Sequence, residues 1–250
     1  MKKALFIIVT AVLIIAAVGC SKKNTRVLLG EEDTFQRLTR LFDKKDYRDF
    51  QEEARYFLSD FPGSKKSPQV QFLLGESYLK KKEYEEAIVS FQRVIDRYPE
   101  SEYLDDAFFK IGETYYRQKR KPQRDQEATR RAIYYFEKVI DLNSPYSETA
   151  RPRLEDCRNT LGMKEYYIAR FYFRRKEYKI SLAVIEKALK EFGETSAGNW
   201  LRYKQIRNYL ALNEKDKAYT LYSYMTRQEI EDQKLIKKVR SLGDDFQEQK

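Results

Sequence analysis

Chemistry in this chain is limited first by a residue it lacks: none of its 250 positions is histidine. That removes histidine acid–base catalysis, the Ser–His and Cys–His nucleophile pairs, and the commonest metal ligand. Carboxylates are plentiful, yet no paired acids, glycine-rich phosphate loop, nucleophile elbow or metal-ligand spacing stands out among them. The expectation is a chain with no catalytic residue, no metal site and no cofactor. Two cysteines remain. Cys157 sits in Leu154-Glu155-Asp156-Cys157-Arg158, within a helical pattern, and reads as a small packed residue rather than a reactive thiol. Cys20 closes a different kind of segment: Met1-Lys2-Lys3, an apolar run from Ala4 to Ala17 broken only by Thr10, then Val18-Gly19. A basic start, a short apolar stretch and small residues before a cleavage point make a secretory signal. The run is shorter than the roughly 20 apolar residues a membrane span needs.

Gly19 directly before Cys20 makes this segment resemble a bacterial lipoprotein signal, in which the cysteine is acylated and becomes the new N-terminus. Ala17 stands where such signals usually carry leucine. The alternative is an ordinary signal with an incidental cysteine. On the lipoprotein reading, residues 1–19 are the signal peptide, Cys20 carries lipid, and residues 20–30 form a polar tether. Cleavage removes Lys2 and Lys3 and lowers the formal charge from +10 to +8. Export argues against nucleic acid as the partner of this basic surface. Anionic headgroups or acidic protein surfaces fit better.

The elements that carry the remaining residues come from an internal repeat. Between Gln71 and Ser101, Leu74, Gly75 and Tyr78 share one face of a first helix, and Lys81-Lys82-Glu83 make a turn. Ala87, Phe91 and Val94 mark a second helix that Tyr98-Pro99 stops. Small residues at Gly75 and Ala87 let two antiparallel helices approach, and large ones fill the spaces between. The spacing resembles the tetratricopeptide repeat. It recurs upstream with Leu38 in the glycine place, and downstream with Gly112, Ala132 and Phe136 around a turn swollen by Gln118 to Arg130. Ala169, Ser181 and Ile185 mark a fourth unit, and Tyr209, Ala218 and Tyr222 a fifth. The predicted fold is an all-α tetratricopeptide-repeat superhelix of about five helix-turn-helix units over residues 31–227. The units fall near 31–63, 68–101, 105–146, 147–194 and 199–227. From Ser147 to about Lys176 the pattern predicts one long helix, with Pro152 near its start and Gly162 a weak point. Residues 228–250 read as a charged C-terminal helix or tail.

First helices of such a stack line its concave side. One step around from the core positions lie five pairs: Phe35 with Phe42, Phe72 with Leu79, Phe109 with Tyr116, Tyr166 with Phe173, and Tyr203 with Leu210. Apolar and aromatic residues at these places could be interface anchors, or core if the superhelix closes on them. Between them Thr39, Glu76, Glu113, Arg170 and Arg207 predict a groove acidic in front and basic behind.

Three further features go beyond the repeat consensus. They are Arg124-Asp125-Gln126 ending the swollen turn, the block from Asn143-Ser144-Pro145-Tyr146, and the run from Glu165 to Tyr178. With Cys20 and five repeats, they make the chain resemble the BamD family of outer-membrane assembly lipoproteins. The resemblance implies a non-enzymatic scaffold, lipid-anchored at the periplasmic face of the outer membrane, in the machinery that inserts β-barrel proteins. It implies front repeats that bind unfolded outer-membrane proteins, and the groove positions read from periodicity, Phe35, Phe42, Phe72, Glu76, Leu79, Phe109, Glu113 and Tyr116, are the candidates there. It implies back repeats that dock periplasmic domains of a barrel insertase, for which periodicity offers Tyr166, Arg170, Phe173 and Arg207, and it leaves room for accessory lipoproteins as further partners. The alternative is a general repeat lipoprotein scaffolding cell-wall, division, secretin or pilus complexes.

Overall fold

Short polar segments whose turns reverse the chain divide the sequence into helices that pack as successive antiparallel pairs. The computed structural model describes residues 30–247. Its helices are α1 (Glu31–Asp43), α2 (Tyr47–Asp60), α3 (Ser67–Lys80), α4 (Tyr84–Arg97), α5 (Leu104–Arg117) and α6 (Glu127–Asp141). The chain continues with α7 (Ser147–Arg174), α8 (Tyr178–Phe192), α9 (Ser196–Ala211), α10 (Lys215–Thr226), α11 (Gln233–Arg240) and α12 (Asp244–Gln247). From α1 to α10 each helix packs on the next in sequence, so the body is a linear stack of pairs.

One turn chemistry joins the helices of four pairs. Lys45, Lys82, Lys176 and Asn213 take left-handed backbone angles near φ 61–63°. In each turn the following amide reaches back to a carbonyl of the last helical turn, as Glu83 N–H does to Tyr78 O at 2.9 Å and Glu177 N–H to Tyr172 O at 3.0 Å. These are Schellman closures, which satisfy carbonyls a helix end would leave bare. Three of the four use lysine, where the left-handed angle is costly for a side chain. The third pair departs from this pattern. Its helices α5 and α6 are joined by residues 118–126, where buried Gln126 donates to Lys121 O (2.8 Å) and accepts from Thr129 Oγ1 (2.7 Å).

Within pairs, the approach distance is set by glycine against phenylalanine. A Cβ on Gly75 would lie 2.5 Å from Phe91, and one on Gly112 2.9 Å from Phe136. Phe50, Phe57, Phe91 and Phe136 are fully buried, each contributing roughly 1.5–3 kcal/mol relative to exposure.

Helix α7 has 28 residues, about 42 Å of helix. Its first half places Ala150 and Cys157 in the core with Phe109 and Phe136, and its second half places Tyr166 and Ala169 with Ile185 and Leu201. The helix runs unbroken through Gly162. A Cβ there would meet Ala197 at 2.7 Å and Phe192 at 3.0 Å, so glycine admits the α8–α9 corner against α7. Burial pushes the Cys157 thiol up to about 12 and keeps it protonated.

After α10 the chain folds back on the stack. Asp232 caps α11 by accepting from the amides of Lys234 (2.9 Å) and Leu235 (3.0 Å), and its other oxygen accepts from Trp200 Nε1 (3.0 Å) on α9. Leu235 and Val239 then bury against Ile206 and Met225.

Candidate functional site

Each first helix presents two aromatic or aliphatic side chains one step around from its core positions, and the structure separates them. The inner members Phe72, Phe109, Tyr166 and Tyr203 are buried, and Phe35 is half-buried. The outer members Phe42, Leu79, Tyr116, Phe173 and Leu210 are all half-buried. The expected double stripe of partly exposed anchors is therefore corrected to a single one, with Phe72, Phe109 and Tyr166 belonging to the core.

The physical reason lies at the start of the next repeat. In the first three units the residue preceding the following first helix covers the inner ring. Lys66 Nζ stands 4.7 Å above Phe35, Tyr103 stacks on Phe72 at 5.3 Å, and Tyr146 stacks on Phe109 at 4.5 Å with an 8° interplanar angle. Tyr146 is fixed in turn by donating its hydroxyl to Asp106 Oδ1 at 2.5 Å, a bond that raises its pKa to about 12. In the fourth unit Trp200 takes the covering role, edge-on to Tyr166 at 5.5 Å. The sequence signal for the first three covers is an aromatic or basic residue just ahead of α3, α5 and α7; Trp200, inside α9, carries no such signal.

Charges on this face are also rearranged by the neighbouring repeat. Glu76 on α3 pairs with Lys110 on α5 at 2.9 Å, and Glu113 on α5 pairs with Arg153 on α7 at 2.5 Å. Both glutamates are largely enclosed. The expected acidic front is thus corrected to a row of neutralised pairs, with a shallow pocket of about 110 Å³ between Glu76, Leu79, Phe109 and Arg117. Thr39 is exposed, and its hydroxyl donates back to Phe35 O. Tyr116 donates its hydroxyl to Asp156 Oδ2 at 2.7 Å, which raises its pKa to about 12, while Lys119 bonds both Asp156 and Thr160. This cluster ties α5 to α7.

The rear of the face is basic, without such pairing among the described residues. Arg170, Lys204, Arg207, Lys234 and Lys238 line a cavity of about 380 Å³ between α7, α9 and α11. Its floor is Tyr166, Tyr203 and Trp200. Arg207 reaches Tyr203 Oη at 3.3 Å and lies 5.6 Å from the Phe173 ring centre. Lys204 is only 7% exposed, and its Nζ sits 4.3 Å over Phe173. Lys204 was not foreseen. It falls on the stripe Ala197, Leu201, Lys204, Asn208, all buried, so helical periodicity placed a lysine in a core register.

Compared with known proteins, the chain matches the family described as outer membrane lipoprotein (YfiO) over residues 30–223. The chain belongs to this family. A relative from Rickettsia prowazekii, named outer membrane protein assembly factor BamD, is 26% identical over 85% of this chain and 88% of its own length. One of the same name from Caulobacter vibrioides is 25% identical over 84% of this chain and 72% of its own. Among solved structures, the Thermus thermophilus tetratricopeptide-repeat protein TTC0263 is 17% identical, with a TM-score of 0.36 over 85% of this chain and 98% of its own. The family match covers α1 to most of α10 and ends before α11. Cys20 and the tether, on which the anchor was expected, lie outside the described residues. Among the described residues no helix is long and apolar enough to cross a membrane.

Proposed function

We propose that this chain is a non-catalytic scaffold of the machinery that assembles β-barrel proteins in the outer membrane, held at the periplasmic face by lipid on Cys20. The observation that carries this reading is family membership over residues 30–223, with relatives named as assembly factors aligned along most of their length. The front of the first-helix face, with Phe42, Leu79 and Tyr116 outermost and Phe35 at its edge, engages incoming barrel proteins. Phe72 and Phe109 shape that surface from beneath, and the Glu76 and Glu113 ion pairs keep it free of strong net charge. The rear half, with Phe173, Arg170 and Arg207, docks periplasmic domains of the barrel insertase. A linear stack suits this division of labour, because separate repeats can hold separate partners along one rigid body.

Affinity purification of the full chain from detergent-solubilised envelopes tests the proposal. Co-purification with a barrel protein carrying periplasmic domains, and loss of porins on depletion, are the expected results. Normal porins with altered peptidoglycan or pili would overturn it. Cys20→Ala should move the protein from the membrane to the soluble fraction.

A further inference from the structure

Burying a lysine without a carboxylate is costly, because its ammonium loses water and receives no opposite charge. Lys204 is such a residue. Among the described residues no carboxylate lies within ion-pair distance of it, and its partners are ring faces: Phe173 at 4.3 Å, Tyr166 and Tyr203 each at 6.0 Å. The charged groups around it are Arg170 from α7, Arg207 from α9, and Lys234 and Lys238 from α11, all of one sign. Burial first, then Arg207, Arg170 and Lys238, lower its pKa to about 8. Asp232 forms no ion pair there among the described residues: it accepts from Trp200 Nε1 and from the amides at the start of α11. Positive charge is therefore concentrated in a concave, aromatic-lined cavity, where among the described residues none of the five cations has an ion-pair partner.

The cavity is not isolated. Tyr167 and Arg170 also line an adjoining cavity of about 650 Å³ with Gln123, Phe171, Arg174 and Arg175. Phe171 there is 55% exposed, with Arg175 stacked 5.5 Å from its ring centre. Together the two make a continuous strip of cations and rings running from α11 across α9 to the end of α7. Cations recur one helical turn apart along it, Arg170 with Arg174 and Lys234 with Lys238.

We infer that this strip is a binding site for an acidic, extended segment of a partner protein, whose carboxylates pair with Lys204, Arg207 and Lys238 while its side chains rest on the aromatic floor. A strip of spaced cations fits carboxylates repeated along a chain better than the single phosphate of a lipid headgroup. It also stands at the far end of the stack from α1, where the expected anchor leads in. The inference deepens the docking half of the proposed function by assigning its chemistry.

The test uses the full chain, purified in a non-ionic detergent, and a rhodamine-labelled peptide alternating glutamate and tyrosine. A glutamine–tyrosine peptide serves as control, and soluble dihexanoyl phosphatidylglycerol as competitor. The acidic peptide should bind and the glutamine peptide should not. Lys204→Met and Lys238→Glu should each weaken binding by about tenfold or more. Lys238 is exposed, so its reversal decides the matter even if Lys204→Met misfolds. Equal binding of both peptides, indifference to both variants, or displacement by the phospholipid would overturn the inference. Co-purification of an insertase with no acidic-peptide binding would overturn this inference alone. Peptide binding with no insertase would overturn the proposed function and leave the site standing.

Discussion

Tyr116 on α5 donates its hydroxyl to Asp156 on α7 at 2.7 Å, so a half-buried residue of the outer stripe also ties two repeats together. The bond perturbs both groups. Asp156 is disfavoured as an anion by partial burial, but hydrogen bonds from Lys119 and Tyr116 outweigh this and lower its pKa below the ordinary 3.8. The same carboxylate raises Tyr116 from 10.0 to about 12. A lowered carboxyl contributes stability above pH 3.8 that is lost as pH falls through its folded value. A raised phenol contributes stability below pH 10 that is lost as pH rises through about 12. Tyr116→Phe should cost about 1 kcal/mol in urea unfolding at neutral pH. It should also flatten the alkaline limb of the stability profile, and Asp156→Asn should flatten both limbs. Unchanged limbs would show that the pair is not formed in solution.

Gly75→Ala should destabilise the protein by about 1–3 kcal/mol, because the new methyl would fall 2.5 Å from Phe91 in a packed pair. Gly63→Ala is the matched control. No atom beyond its chain neighbours lies within 4 Å of that Cβ, so its unfolding free energy in urea should stay within roughly 0.5 kcal/mol of the parent.

Lys82→Gly should stabilise by about 0.5–1 kcal/mol, since glycine relieves the left-handed strain at φ 63° and repays part of it in unfolded-state entropy. Two residues earlier, Lys80→Gly falls on the last residue of α3, where there is no left-handed strain to relieve, and should lower stability by about 0.5 kcal/mol. Thermal melts of the two variants should therefore move in opposite directions.

Leu79→Ala combined with Phe42→Ala should weaken binding of an unfolded barrel protein by more than about 1 kcal/mol if the outer stripe is the contact surface. Phe72→Ala is a different experiment. It empties a site packed by Phe91 and Tyr103, and should cost about 3–5 kcal/mol of stability. Client affinity measured by anisotropy, with circular dichroism confirming the fold, separates the two. Unchanged affinity in the Leu79, Phe42 double variant would remove the front face from the binding surface.

What the sequence determined alone was everything local. Apolar periodicity, the small residue at Gly75 or Gly112, the phenylalanine opposite it, and the short polar turns together specify paired helices. Each of those signals lies within one repeat and follows from backbone geometry and side-chain volume. The absence of histidine is equally legible, since composition needs no coordinates. Tertiary structure decided which side chains face solvent. Phe72 and Phe109 occupy positions that helical periodicity assigns to a groove, yet they are buried because Tyr103 and Tyr146 arrive from the next repeat. Glu76 and Glu113 read as an acidic patch until Lys110 and Arg153 are brought against them. Lys204 belongs to the same class. Its core register was written in the sequence, but its surroundings exist only where α7, α9 and α11 converge. Burial and charge pairing depend on neighbours distant in the chain, and only the assembled stack supplies them.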